Sequence, residues 1–315
     1  MSNSVLPSNL PDSGLPDSGL PDSGLPDSGL PDSGLPDFVG VLGGGRMGAG
    51  IAHAFLINGA NVLVVERDEE AAEAARERVE SAAAKSIERG ATDGNLDEMV
   101  SRLSVTVDYD DFKDRQLVIE AVPEDWDLKV ASLRGIEERL DDGAYLASNT
   151  SSISVNALAR ELQRPHNFLG LHFFNPVPAS TLIEVVLGEH TSEPLAQAAR
   201  GWVEALGKTA VVVNDAPGFA SSRLGVAIAL EAMRMVEEGV ASAEDIDNAM
   251  VLGYKHPTGP LRTTDIVGLD VRLGIAEYLA TTLGERFAPP QILRDKVARG
   301  ELGRKSGKGF FDWTD

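Results

Sequence analysis

The stretch from residue 38 to residue 66 constrains this chain most. Phe38-Val39-Gly40-Val41-Leu42 is a short apolar run with strand propensity. Gly43-Gly44-Gly45-Arg46-Met47-Gly48 follows at once and gives G-x-G-x-x-G at 43, 45 and 48. Residues 49–58 then read as a helix stopped by Gly59, and 62–65 as a second strand ended by Glu66. A lone G-x-G-x-x-G is a weak signal. Between a strand and a helix, with an acid 23 residues after the first glycine, it is the βαβ fingerprint of a dinucleotide site.

Each position has a physical task. Gly43 permits the tight turn, Gly45 lets the backbone approach a pyrophosphate, and Gly48 allows helix and strand to pack closely. Arg46 and Met47 share the loop, and the helix behind it offers free N–H groups and a positive dipole end. Glu66 can accept from the ribose hydroxyls and would repel a 2′-phosphate, which favours NAD over NADP. Arg67 beside it could pair with that phosphate, so the choice is not closed by these residues alone.

Further strand-like runs lie at 104–107, 117–122, 145–148, 168–173, 182–187 and 210–213, several separated by helical runs. A long charged helix is expected over 68–89, with Ala71, Ala75, Val79, Ala82 and Ile87 on its apolar stripe. This alternation predicts an α/β Rossmann-type doubly wound sheet, with ligands beyond the carboxyl ends of its strands. From Ala216 the strand signal fades. Helices are expected over 221–239, after the Ser242-Ala243-Glu244-Asp245 capping box, over 271–283 and over 290–299. The expected organisation is a tail at 1–37, an NAD-binding domain at 38–214 and an all-α C-terminal domain at 215–315.

The tail carries five copies of Pro-Asp-Ser-Gly between residues 11 and 34, spaced by single leucines. A proline and a glycine in every copy defeat regular structure, and one Leu in five cannot bury a face, so the tail is expected to be disordered. The chain has a formal charge of −21 and no cysteine. Such acidity excludes nucleic acid as a main partner. Lack of cysteine removes disulfides, thiolate metal sites and thiol nucleophiles, and no metal is expected. No apolar run reaches membrane-spanning length and no signal-peptide pattern is present, which predicts a cytoplasmic protein.

Two residues suggest catalysis. His172 sits inside the apolar run Leu171-His172-Phe173-Phe174-Asn175-Pro176, and Glu184 inside Leu182-Ile183-Glu184-Val185-Val186. A buried carboxylate needs a partner, and a turn near 176–180 could bring the two strands together. A carboxylate that fixes the imidazole tautomer makes histidine a better base for taking an alcohol proton beside a nicotinamide. Ser151, just after a strand end, could hydrogen-bond the reacting oxygen.

With these residues the chain resembles the short-chain L-3-hydroxyacyl-CoA dehydrogenase family. The resemblance is carried by Gly-Gly-Gly-Arg-Met-Gly-Ala-Gly-Ile-Ala (43–52), Ser-Asn-Thr-Ser-Ser (148–152), His-Phe-Phe-Asn-Pro-Val-Pro (172–178), Asp-Ala-Pro-Gly-Phe (215–219) and Gly-Arg-Lys-Ser-Gly-Lys-Gly-Phe-Phe (303–311). It implies reversible, NAD-dependent oxidation of an L-3-hydroxyacyl-CoA, a place in fatty acid metabolism, and a homodimer through the C-terminal domain. It implies His172 as base, Glu184 as its partner and Ser151 at the substrate oxygen. Asn175 would place the nicotinamide, and Glu66, Glu124, Lys129 and Lys305 would contact the cofactor. Lys85 matches a lysine near the CoA phosphates, and a surface lysine is an equal reading.

The chain departs from the family pattern at Ser222, where an Asn is usual, which puts substrate placement in question. It departs again at Arg262, which could recognise a carboxylate at the far end of the acyl chain or simply face solvent. A free hydroxy acid as substrate, and NAD binding without turnover, stay open as alternatives. The acid excess, with 8 Lys beside 20 Arg, also suits high salt, where screening relieves self-repulsion.

Overall fold

A computed structural model describes residues 34–313. In chain order it contains β1 (Phe38–Leu42), α1 (Arg46–Ile57), β2 (Asn61–Val65), α2 (Glu69–Glu88), α3 (Leu96–Ser101), β3 (Leu103–Thr106), β4 (Leu117–Glu120), α4 (Trp126–Glu137) and β5 (Tyr145–Ser148). Then come α5 (Val155–Ala159), β6 (Phe168–Phe173), β7 (Leu182–Leu187), α6 (Glu193–Ala205) and β8 (Thr209–Asn214). The helical part follows as α7 (Ser221–Glu237), α8 (Ala243–Asn248), α9 (Pro260–Val267), α10 (Leu269–Leu283) and α11 (Gln291–Ala298).

The eight strands form one sheet in the order β3-β2-β1-β4-β5-β6-β7-β8. Neighbours are parallel except β6 and β7, which run antiparallel. The strands read as unbroken apolar runs because helices cover both faces. Val62 and Val64 enter one core with Ile51, Phe55 and Trp202, while Leu63 and Val65 enter the other with Leu133 and Ile136. Buried aliphatic side chains of this size contribute roughly 1.5–3 kcal/mol each. The helices after β8 close on a third core around Met233, Leu261, Leu269, Leu279 and Leu293. The result is a Rossmann-type doubly wound sheet followed by a helical domain. Among the described residues no helix is long and apolar enough to cross a membrane.

Two expectations need correction. The buried residues of α2 are Ala72, Ala75, Val79, Ala83 and Ser86, so Ala72 and Ala83 stand where Ala71 and Ala82 were expected, while the expected Ile87 packs against the first core from a partly buried place. Asp68 accepts from Ala71 N–H at 2.8 Å as the N-cap, so Ala71 lies on the first turn beside the cap. At the other end the buried His53 ring reaches Ser86 Oγ at 2.9 Å, which turns Ser86 inward and Ile87 to the flank. The second correction concerns the tail. Leu35 is 2% exposed and belongs to the first core, and the Asp37 carbonyl accepts from Asn61 N–H at 2.7 Å. The folded part therefore begins before Phe38. Residues 1–33 of the tail expected over 1–37 lie outside the described residues.

Candidate active site

The glycine loop closes between β1 and α1. Gly43 has φ +91, and a Cβ on Gly48 would stand 1.7 Å from the Gly43 carbonyl oxygen. Any larger residue at either place would open the turn. Around Gly45 a Cβ would meet no protein atom within 4 Å, so the backbone there faces open space. No side chain caps the N-terminus of α1, and its first N–H groups remain available to an anion. Glu66 at the end of β2 accepts from Gly44 N–H at 2.6 Å and from Arg67 N–H at 3.1 Å. A carboxylate offers about four acceptor sites, so ribose hydroxyls can be added. An open phosphate cradle with an acid at its rim fits NAD.

Arg46 from α1, Arg78 and Lys85 from α2, and Asn175 with residues 176–178 line a neighbouring cleft of about 450 Å3. Three cations around one cleft suit a phosphorylated ligand. Lys85 was expected; Arg78 was not. Arg78 donates to the Gly44 carbonyl at 3.2 Å, and no sequence motif marks it because its approach depends on how α2 lies across α1.

His172 and Glu184 are direct partners in the β6–β7 register. Their neighbours Leu171, Phe173, Ile183 and Val185 all enter the first core, so alternation sends both side chains to the opposite face. There Nδ1 of His172 lies 2.7 Å from Oε2 of Glu184. Glu184 is fully buried. Burial pushes its carboxyl up, but hydrogen bonds from His172 and from Ser221 outweigh this and hold it below the usual carboxylate range. Those bonds are Ser221 Oγ to Oε2 at 2.8 Å and Ser221 N–H to Oε1 at 2.8 Å, with Ala220 N–H adding 3.0 Å to Oε1. The rings of Phe174 and Phe219 flank the imidazole at 4.5 and 5.6 Å. Among the described residues Nε2 has no hydrogen-bond partner.

Glu124 organises the loop after β5. Its Oε1 accepts from Thr150 Oγ1 at 2.7 Å, from Ser151 N–H and Ser152 N–H at 2.9 Å each, and from Ser152 Oγ at 2.9 Å. Burial raises its carboxyl; Lys129 and these donors prevail and bring it down to about 2. Ser151 is exposed, and Asn149 next to it accepts from Phe173 N–H at 2.9 Å. The loop is thereby fixed to the end of β6, one residue beyond His172.

Three expected site residues are committed to other partners. Lys129 is 1% exposed. Its Nζ meets Glu120 Oε1 at 2.7 Å, Glu124 Oε2 at 3.3 Å and the Val122 carbonyl at 3.3 Å. All three ammonium donors are spent, so Lys129 is a strut behind the loop and has no donor left for a cofactor. Lys305 pairs with Asp270 Oδ1 at 2.6 Å in the helical domain. Arg262 stacks over Phe311 at 4.1 Å and lines a separate cavity with Glu244 and Asp247. The structure does not bring it to the pair: its guanidinium is taken by an aromatic face and its surroundings are acidic. Ser222 is half-buried, and among the described residues its hydroxyl makes no hydrogen bond. Ser221, which the sequence reading passed over, is the serine bonded to Glu184.

Comparison with known proteins places this arrangement. Residues 38–216 match the family model described as 3-hydroxyacyl-CoA dehydrogenase, NAD binding domain. Residues 218–313 match that of the C-terminal domain of the same family. A probable 3-hydroxybutyryl-CoA dehydrogenase from Deinococcus radiodurans is 40% identical over 275 residues, covering 87% of this chain and 99% of that protein. A 3-hydroxybutyryl-CoA dehydrogenase from Mycobacterium tuberculosis is 41% identical over 283 residues, covering 87% and 98%. The crystal structure of (S)-3-hydroxybutyryl-CoA dehydrogenase from Ralstonia eutropha superposes with a TM-score of 0.85 at 37% identity, covering 89% of this chain and 100% of that one. The glycine loop, the buried His–Glu pair and these matches agree: the chain belongs to the 3-hydroxyacyl-CoA dehydrogenase family of NAD-dependent oxidoreductases.

Proposed function

We propose that this enzyme oxidises an L-3-hydroxyacyl-CoA of short acyl chain to the 3-ketoacyl-CoA, with His172 as general base. The observation that carries the reading is the 2.7 Å contact of His172 Nδ1 with the fully buried Glu184, which leaves Nε2 as the ring nitrogen without a hydrogen-bond partner among the described residues. NAD+, held by the glycine loop and Glu66, would supply the hydride acceptor for C3. Nε2 takes the hydroxyl proton, and Glu184 holds the Nδ1 proton and stabilises the imidazolium. Ser151 offers its hydroxyl to the reacting oxygen from the loop clamped by Glu124, and Asn175 orients the nicotinamide from the cleft edge. Ser222 follows Ser221 at the start of α7, with its hydroxyl uncommitted among the described residues, and is assigned to contact the substrate. Glu66 selects the unphosphorylated ribose.

The CoA ester is favoured over a free hydroxy acid by the cleft that Arg46, Arg78 and Lys85 line. A free acid has no phosphates for three cations to meet. The test is NADH formation from 3-hydroxybutyryl-CoA and from free 3-hydroxybutyrate at equal concentration. We expect kcat/KM at least about 10²-fold higher for the ester, the size of ~2.7 kcal/mol of added binding. Equal values would overturn the substrate assignment.

The helical domain carries an apolar face. Leu224, Ile228, Leu252, Tyr254 and Val271 are exposed, and Ile228 and Tyr254 line a cavity of about 510 Å3 that Met235 and Ile246 also line. We read this face as covered by a second copy of the chain, because a soluble protein rarely leaves so many large apolar side chains in one region wet. Sedimentation equilibrium is expected to give twice the chain mass of 33.4 kDa; a monomer at micromolar concentration would overturn it.

A further inference from the structure

Glu184 lies on β7, yet among the described residues three of the four hydrogen bonds to its carboxylate come from the start of α7. Ser221 Oγ and His172 Nδ1 share one oxygen, Oε2, at 2.8 and 2.7 Å. We propose that Ser221 is a positioning residue for the reaction, whose hydroxyl competes with His172 for Oε2 and so sets how firmly His172 holds the proton it takes. The inference rests on the His172–Glu184 reading above.

The argument is electrostatic. A donor to an ionised oxygen stabilises that ion and leaves less of its charge for another partner. Glu184 also faces the positive end of a helix of 17 residues. Together these keep the buried carboxylate ionised while moderating its pull on the imidazolium. Without the hydroxyl, Oε2 would serve His172 alone. The carboxylate would then act on the imidazolium undivided, and return to the neutral base needed for alcohol oxidation would be less favourable.

The groups facing the pair are few. His172 comes from β6, Val211 lies alongside Glu184 on β8, and α7 supplies the amides of Ala220 and Ser221 with the Ser221 hydroxyl. The rings of Phe174 and Phe219 cover the imidazole. Among the described residues the ion pair of His172 is with Glu184 alone.

Threonine and valine at 221 are nearly the same shape and differ in the hydroxyl. The test is kcat/KM against pH for 3-hydroxybutyryl-CoA oxidation at saturating NAD+, with wild type, Ser221→Thr and Ser221→Val. We expect the acidic limb of the valine enzyme to move up by about half a pH unit, and that of the threonine enzyme to stay with wild type. Identical limbs for valine and threonine, or a valine limb on top of wild type, would overturn the proposal. If the valine enzyme does not fold, Ser221→Ala replaces it under the same criterion. His172→Gln, run in parallel, separates the two ideas. An inactive glutamine enzyme with an unmoved valine limb removes only the role of Ser221. A glutamine enzyme that keeps the wild-type limb removes the His172 reading itself.

Discussion

Replacing His172 with glutamine is expected to lower kcat for NADH formation from 3-hydroxybutyryl-CoA by about 10²–10⁴, the usual contribution of a positioned general base. Glutamine keeps a polar side chain of similar reach next to Glu184, so the sheet should survive and the thermal midpoint should move little. The imidazole stands on β6, while the glycine loop and Glu66 lie on β1, α1 and β2. NADH binding, followed by its fluorescence, should therefore remain within about threefold of wild type. Glu184→Gln should lose activity as well, because an amide beside Nδ1 cannot stabilise the imidazolium. A His172→Gln enzyme with unchanged kcat would remove the histidine from the chemistry.

The largest stability effect is expected at Lys129. Met in its place fills most of the volume and removes the ammonium. Glu120 is fully buried and would keep only Ser148 Oγ at 2.6 Å and Val122 N–H at 2.8 Å. Breaking a buried pair from one side costs about 3–5 kcal/mol, because the remaining charge is left without compensation. For a protein of this size that corresponds to a fall in Tm of about 5–9 °C. Adding Glu120→Gln to Lys129→Met should return part of the loss, since the stranded charge goes with it. A drop below about 2 °C in the single variant would show that the network is not under the electrostatic load described here. Activity should fall with stability in this variant, because Glu124 and the Ser151 loop lose their anchor.

The sheet was legible because its strands are buried on both faces. The runs at 145–148, 168–173 and 182–187 needed no correction, and each is too apolar and too short for anything else. His172 and Glu184 were legible for the opposite reason: a polar residue inside such a run must have a partner, and their separation of twelve positions fits one antiparallel turn. The failures all involve contacts that local sequence does not encode. A lysine on an amphipathic helix normally reaches solvent; Lys129 turns inward only because Glu120 and Glu124 arrive from the strand end beside it. Choosing Ser221 over Ser222 requires the rotational phase of α7 relative to β7, which follows from domain seating. Arg262 finds Phe311, 49 positions later, and no window of sequence joins them. The boundary at 37 fell short for a similar reason, since Leu35 is like every other leucine of the repeat until the core next to α6 claims it.

The direct facing of His172 and Glu184 across the ladder has a consequence for how such enzymes diversify. Backbone hydrogen bonds fix the spacing of base and carboxylate, so the turn at 174–181 carries none of that duty. Asn175 and residues 176–178 on this turn line the cleft that Lys85 also lines, and Lys208 tethers the Val177 carbonyl at 2.8 Å from the far side. On the roles proposed above, ligand contact and proton transfer would be separable within one hairpin. Side chains on the turn could then be exchanged without moving His172 relative to Glu184, whereas drift in the ladder would disturb the pair directly.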